Sequence, residues 1–515
     1  MPREDACLLG IDIGAGSLKS MVVAPDGRVL GASSRDLTTH QPHPGWTEQD
    51  PADWWDAVRA TVPAALEQAG VPADAVAAIS FSAGAHTPVL TDDDGRPVRP
   101  AILWSDQRSG AESRELDEAH GAFIVETGAN RPSPTWTLCQ LRWLARHEPE
   151  SLRAATRLYV AKDWLRSRLT GDWTTDVTDA VGTLLWDIRR NVWSETLVEL
   201  SGFDPAKLPP AVRPDAVVGT VTAEAAAACG LRAGTPVVCG SSDTAVEAFG
   251  GGAAAPGAAT VKLATAGTVS VIRDTVAPSR SVINYPYVTP GQWYSITGTN
   301  SCASAHRWLR DTLFQGWERD GRSAFAAMDE AAARSPAGSG GMIFHPYLNG
   351  ERSPYWDPLL RADFMGVTMR HAAGDFVRAL YEGIAFSLRD GMGGFAAEGL
   401  SIASARIIGG GAKSAVWRQT VADVLGVEIL LPACTDASFG AALLAGVGTG
   451  IYADAADAVA RTVHVAARHA PNPANRALYD DLFAVYKEAQ ARLSGLNHEL
   501  HAILARHADR QGDRT

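Results

Sequence analysis

One residue constrains the fold of this chain more than any other. The stretch LLGIDIGAGSLKSMVVAPDGRVLG, residues 8–31, puts Asp12 inside an apolar run that reads as a buried strand. An ionised carboxylate in such a place is costly unless a partner offsets it. Two readings remain: a surface hairpin with a chance aspartate, or a phosphate-handling hairpin in which Asp12 faces a metal. The pattern predicts a strand, a tight glycine turn, a second strand, and a Pro25-Asp26-Gly27 turn into a third strand at Arg28-Val29-Leu30. GAGSLK is no dinucleotide fingerprint, because that motif opens a helix and SLKSMVV leads into another strand. No GxxxxGK[ST] run is present. What is left is a turn whose backbone N–H groups, at Gly14 to Ser17, can hold phosphate oxygens, with Mg²⁺ between them and Asp12.

The next signals alternate. Asp50 as N-cap, Pro51 at the first helical position and Gly70 past the end predict a helix from Pro51 to about Ala69, kinked at Pro63. Ala75 to Phe81 reads as a buried strand, so the opening is a meander followed by helix and strand, a mixed α/β domain. At 515 residues two or more domains are expected, and the Gly/Ala-rich GGGAAAPGAAT at 250–260 marks the boundary between domains 1–253 and 254–515. Behind it, VKLATAGTVSVIRD hinges on Ala266-Gly267-Thr268 and repeats the opening pattern, through internal duplication or as a chance pair of hairpins. Farther on, Arg406-Ile407-Ile408 is a short strand, Ser414 to Leu425 a helix stopped by Gly426, and VEILLP a strand. In VRALYEGIAFSLRDGM, Ala379 and Gly383 share a helical face expected to pack on a neighbouring helix. A final helix from about Asn475 to Ala508 is expected to bury Leu478, Leu482, Val485 and Tyr486.

Charge narrows the function classes. Lys plus Arg number 46 against 58 Asp plus Glu, a net charge of -12 that offers no field for nucleic acid. The six cysteines show no CxxC pair and no zinc spacing, and read as small buried hydrophobes. MPREDACLLG has no basic segment followed by an apolar run, and no stretch reaches the roughly 20 apolar residues of a membrane span. A cytoplasmic protein with no membrane partner is expected.

The second constellation is VVCGSSDTAVEAFGGG, where a strand from Thr235 to Cys239 delivers Ser241, Ser242 and Asp243 to its carboxyl end, where open α/β sheets do their chemistry. Taken alone, Asp243 reads better as a helix cap than as a catalyst. The two carboxylates acquire meaning together. GIDIGAGSLK at 10–19, HPGWTEQDPADWW at 43–55, RPAILWSDQR at 99–108, GSSDTAVEAFG at 240–250, ATAGT at 264–268, FHPYLNGERSPYWDP at 344–358 and IIGGGAKSAVWRQTVADVLG at 407–426 stand in one order. With them the chain resembles the FGGY carbohydrate kinases over nearly its whole length, and within that family it is most similar to the xylulokinases.

The resemblance implies two actin-like α/β domains of the ribonuclease H-like, ASKHA superfamily with a catalytic cleft between them. It implies a reaction in which the γ-phosphoryl group of MgATP passes to a hydroxyl of a ketopentose such as D-xylulose. Asp12 then supports magnesium and phosphate. Gly14, Gly16, Ser17 and Lys19 match the first phosphate hairpin, and Gly267 and Thr268 the second. Asp243 matches the general base, and Gly410, Gly411 and Ala412 the turn under the adenosine, with Lys413 and Trp417 nearby. Sugar and ATP are the implied partners, and a homodimer is the family's common habit.

The acceptor side departs from the xylulokinase pattern. Glutamine, methionine, histidine, glycine is typical there, whereas this chain has Gly84-Ala85-His86-Thr87, and the asparagine usual after the base is Thr244. Trp104 and Asp106 keep the pattern. The sugar contacts expected are therefore His86, Ala85, Trp104, Asp106, Asp243 and Thr244, with another ketopentose, a polyol or gluconate as alternative acceptors. An actin-like or Hsp70-like ATPase is the rival class on the same fold; RPAILWSDQR and the lack of an appended peptide-binding domain argue against it.

Overall fold

The computed structural model describes residues 6–318 and 323–512, with side chains to 507. The chain forms two compact units interleaved in sequence: Met1–Pro256, Ile272–Ser295 and Cys434–His464 make one, and Gly257–Val271, Ile296–Ala433 and Val465–Thr515 the other.

The first unit is built on the hairpin that the opening residues predict. Cys7–Ile13 pairs antiparallel with Ser17–Val23, which pairs with Val29–Asp36. On its other side Cys7–Ile13 runs parallel to Val76–Ala83, which is followed outward by Pro236–Val238 and Val217–Thr220. Alternate apolar residues meet the helix Pro51–Ala69 in a core containing Leu9, Ile11, Trp54, Val58, Val62, Ile79, Phe81 and Val237. That helix starts where Asp50 accepts from Ala52 N at 2.9 Å, continues through Pro63 and stops at Gly70, whose φ is 66°. The helix Ala437–Gly448 returns to this unit at very close range. A Cβ on Gly10 would stand 1.8 Å from Ser438 O, and one on Gly440 1.8 Å from Val246 O.

The second unit repeats the arrangement. Ala259–Leu263 pairs antiparallel with Gly267–Arg273 and parallel with Ser404–Ile408, and the sheet continues through Glu428–Pro432 to Val465–His469. In both units, then, a glycine-turn hairpin has its first strand flanked by a later parallel strand.

Two packing expectations are corrected. Gly383 does lie in a close contact, but its neighbour is the strand Ile343–His345: a Cβ on it would be 2.1 Å from Phe344 O. The terminal helix Arg476–Gly512 buries Tyr479 and Tyr486, while Leu478 and Val485 are exposed. The tyrosines win the buried face because their hydroxyls find partners there, Tyr479 donating to Glu382 Oε1 at 2.7 Å and Tyr486 meeting the Tyr347 hydroxyl at 2.7 Å. Of the six cysteines all but Cys434 are buried. No described helix is long and apolar enough to cross a membrane.

Candidate active site

Strand register brings the first group of residues together. In the parallel pairing Asp12 stands opposite Ser82 and Ile13 opposite Ala83, while Ser241 and Ser242 stand opposite the same Ser82 and Ala83. The chains leaving these three strands begin with Gly14, Gly84 and Asp243, so the 14–17 turn, residue 84 and Asp243 emerge side by side. This is the carboxyl edge of the parallel strands, where such sheets bind ligands.

At Asp12, desolvation comes first and the Asp243 carboxylate second among the effects that raise its carboxyl to about 8; Asp436 and Glu247 add to them, and a hydrogen bond from Ser82 Oγ at 2.6 Å opposes. The carboxyl is therefore held neutral near pH 7. Among the described residues no group of three or more His, Cys, Asp or Glu side chains could hold a metal. A divalent ion at Asp12 would draw most of its ligands from phosphate oxygens and water, as Mg²⁺ does. Lys19, directly across the ladder from Asp12, forms an ion pair with Asp436, whose other oxygen caps Ser438 N at 3.0 Å.

The turn at 14–17 is polarised by its own bonds. Gly14 N–H is spent on Ser17 O at 2.9 Å. The carbonyl of Ala15 accepts from Thr39 Oγ1 and Gln49 Nε2, and that of Gly16 from Leu37 N. A trans peptide sets N–H opposite C=O, so the N–H groups of Gly16 and Ser17 face away from these partners and are the ones able to meet a phosphate.

Asp243 opens the helix Asp243–Gly250, and the cap position itself belongs to Ser242, whose hydroxyl meets Tyr294 OH at 3.1 Å. Asp243 Oδ1 accepts from Thr244 N at 2.6 Å and Thr244 Oγ1 at 3.1 Å, which orients the carboxylate and leaves Oδ2 for another proton. Thr244 thus acts on the Asp243 carboxylate directly. His86 adopts a left-handed backbone, φ 50°, and its Nδ1 lies 2.8 Å from Thr135 O. Burial lowers its imidazole to about 4, so the ring is neutral, with Nδ1 donating and Nε2 an acceptor. It begins an aromatic row through Trp136, Tyr285 and Tyr294 that ends at Ser242, beside Asp243. Ala85 is half-buried next to it.

Asp106 departs from the expected sugar contact. It is fully buried, and both its oxygens are occupied, by Thr47 N at 2.6 Å and by Arg108 N, Nε and Nη2. Its chemistry is to fix the 103–108 loop that carries Trp104, which is 44% exposed.

The second unit holds the other two turns. Gly267 fits against Thr299 and Cys302, each 3.1 Å from a Cβ placed on it, and Thr268 follows in the strand. At 409–413, Gly409 has φ 88° and Gly410 is exposed with nothing within 4 Å of a Cβ, so one face of this turn is bare backbone. Gly411 and Ala412 are buried and Lys413 is exposed. Trp417 lies behind the turn, wholly buried and stacked on Tyr381 with ring centroids 4.5 Å apart. It supports Gly411, whose Cβ would be 2.9 Å from the indole, and has no surface of its own to offer a ligand.

Asp436, Ser82 and Glu247 were missed by sequence reasoning. Asp436 sits 417 residues from its partner Lys19, in TDASFG, where the only local signal is that of a helix cap.

Comparison with known proteins agrees with this geometry. The N-terminal domain of the FGGY family of carbohydrate kinases matches residues 7–250, and its C-terminal domain residues 260–449. The chain is 32% identical to a xylulose kinase of Staphylococcus epidermidis over 499 residues, 96% of this chain and 99% of that one. It is 32% identical to a xylulose kinase of Escherichia coli (strain K12) over 423 residues, covering 82% and 85%. The crystal structure of xylulose kinase from Rhodospirillum rubrum superposes with a TM-score of 0.87 at 31% identity, covering 96% of this chain and all of that one. Two glycine-turn hairpins, an aspartate on the first and another at a neighbouring strand end are thus found in a chain that both domain descriptions match, and it belongs to the FGGY family of ATP-dependent carbohydrate kinases, with their two-domain, actin-like α/β fold.

Proposed function

We propose that the protein transfers the γ-phosphoryl group of ATP to a hydroxyl of a ketopentose, D-xylulose to D-xylulose 5-phosphate, in a reducing cytoplasm. The observation that carries this reading is the register that sets Asp243, with one oxygen oriented and one open, beside Asp12 and the 14–17 turn. The names of the relatives support the acceptor. Residues 1–253 then hold the sugar and the first phosphate turn, and residues 254–515 the nucleotide, through Gly267, Thr268 and the bare face of Gly410. Asp243 Oδ2 accepts the proton of the attacking hydroxyl as its oxygen bonds to the γ-phosphorus and ADP departs. Lys19 keeps Asp436 neutralised, and Thr244 keeps the base aimed. Mg²⁺, when bound beside Asp12, supplies the positive charge that phosphate oxygens need at this acidic edge.

ADP release with MgATP is the test, measured against D-xylulose, L-xylulose, D-ribulose, L-ribulose, gluconate, glycerol and a no-sugar blank. Stimulation by D-xylulose above the others is expected, and preference for another acceptor replaces the substrate. Asp243→Asn should bind nucleotide and sugar as before and lose at least 100-fold in kcat, from the typical worth of a positioned base; near-normal turnover removes it from that role.

A further inference from the structure

We propose that Arg418 is a positioning residue for the nucleotide, holding the 410–413 turn from behind with His469 as its own support, so that ATP affinity depends on a contact to the edge strand Val465–His469; this rests on the reading that the turn seats the adenosine. The turn has few ties of its own: Ala412 N donates to Gly409 O at 3.1 Å and Ser414 N to Gly411 O at 3.2 Å. One guanidinium does the rest. Arg418 Nη1 donates to Ala412 O at 2.6 Å and to Lys413 O at 3.1 Å. Because a trans peptide sets N–H opposite C=O, this grip turns the Lys413 N–H away from the arginine. Its consequences reach the second hairpin as well, since a Cβ on Gly409 would stand 2.7 Å from Leu263 O and one on Gly411 2.8 Å from Leu263 Cβ. A turn that slips must move against the end of the Ala259–Leu263 strand.

The arginine is buried and is itself held at a third point, its Nε donating to His469 Nε2 at 2.9 Å. The acceptors that meet it, two carbonyls and an imidazole nitrogen, are all neutral, while Asp329 acts on it only as a nearby charge. A bonded carboxylate would cancel the guanidinium's charge; neutral acceptors leave it in place behind a turn that meets a polyanion. The tautomer of His469 follows from its partners. Gln419 Nε2 donates to Asp423 Oδ1 at 2.7 Å and to Ala470 O at 2.9 Å, so its Oε1, 3.2 Å from His469 Nδ1, is an acceptor. Nδ1 therefore carries the proton, and Nε2 the lone pair that Arg418 needs. Burial first and the Arg418 charge second hold this imidazole below its usual range, in the neutral form the contact requires. Asp423 anchors the far end, accepting from Asn472 N at 2.9 Å and Asn475 Nδ2 at 2.8 Å. One line of bonds thus runs from Asp423 through Gln419, His469 and Arg418 to the carbonyls of the turn.

Arg418→Met, His469→Leu and His469→Gln test this line, each measured for ATP affinity by calorimetry, KM of the acceptor and thermal midpoint. Arg418→Met should weaken ATP binding about 10-fold and His469→Leu about 3-fold, with KM for the acceptor changed by less than about 2-fold. His469→Gln, whose Oε1 can take the place of Nε2, should bind ATP nearly as wild type does. The proposal is overturned by equal losses for ATP and acceptor, by a fall in midpoint with ATP affinity intact, or by a His469→Gln protein no better than His469→Leu. Should Arg418→Met fail to fold, the two His469 variants decide, for that side chain is half-buried on an edge strand. Gly410→Val, which crowds the bare face of the turn, tells the two failures apart. Unchanged ATP affinity there shows that the adenosine lies elsewhere and overturns the nucleotide reading and this proposal together, whereas weakened binding there beside wild-type affinity in Arg418→Met overturns the positioning role alone.

Discussion

His86 gives a stability prediction whose size follows from the structure. Its imidazole is pushed from 6.5 to about 4 by burial against Trp136, with the hydrogen bond to Thr135 O working the other way. In the unfolded chain the ring takes up a proton near pH 6.5, while in the folded one it stays neutral until about pH 4. Stability contributed by this group is thus fully present above pH 6.5 and is lost as pH falls through that window. Integrating the difference in bound protons from pH 7 to pH 5 gives a loss of about 2 kcal/mol, approaching about 3.4 kcal/mol below pH 4. Urea unfolding of the wild-type protein and of His86→Asn, at pH 7 and pH 5, measures it. The variant should be less stable at pH 7 yet lose about 2 kcal/mol less between the two conditions. His306, lowered to about 4 by burial and by Arg310 and Arg307 in the other unit, provides a matched control through His306→Asn. If wild type and His86→Asn show the same pH slope, His86 is solvated or charged in the fold and the reasoning fails.

Two further perturbations probe what holds the site in place. Gly10→Ala pushes a methyl into Ser438 O and Ala442 N, 1.8 and 2.6 Å away, and should cost about 3 kcal/mol in chemical denaturation while disturbing the Lys19–Asp436 pair; a wild-type midpoint would show that the helix Ala437–Gly448 is free to move off. Lys162→Met removes the ammonium from Asp163, Asp176 and Asp179, at 2.6, 2.7 and 2.9 Å, and should destabilise by about 3–5 kcal/mol in the same assay. Burial and the neighbouring carboxylates already push Asp179 well above the usual range, so adding Asp179→Asn should recover part of that loss.

What the sequence made legible was local. The two hairpins, the capped helix Pro51–Ala69 and the helix Ala415–Leu425 with its stop at Gly426 depend on turn and cap residues within a few positions of one another, and each lies where its signals put it. Partners were not legible. The face shared by Ala379 and Gly383 announces a close approach without saying that a strand makes it, and periodicity in the last helix favours Leu478 and Val485 because it is blind to the partners of tyrosine hydroxyls. Asp106 shows the same limit from the polar side. A carboxylate in a motif reads identically whether its oxygens await a ligand or, as here, are consumed by Arg108 and Thr47.

The placement of Asp243 illustrates how a buried charge network can serve a site it never touches. Arg166 Nη1 donates to Cys239 O at 2.9 Å, fixing the chain just before the glycine turn at Gly240. Lys162 holds Asp176, and Asp176 Oδ2 accepts from Ser241 Oγ at 3.1 Å. Ser242 is held by Tyr294 and both serines by the ladder to Val76–Ala83. Three of the four residues before Asp243 are thereby clamped, on partners whose own charges are mutually neutralised. Among the described residues no donor meets Asp243 Oδ2. The proposed role of Asp243 as base requires that oxygen within about 0.5 Å of its place, and a support fixed in advance supplies this without reorganisation during the reaction. Burying Lys162 and Arg166 with their carboxylates does little for stability compared with a well-packed apolar core. Their service to the site is rigidity, which an apolar cluster without directional bonds to Cys239 O and Ser241 Oγ would not provide.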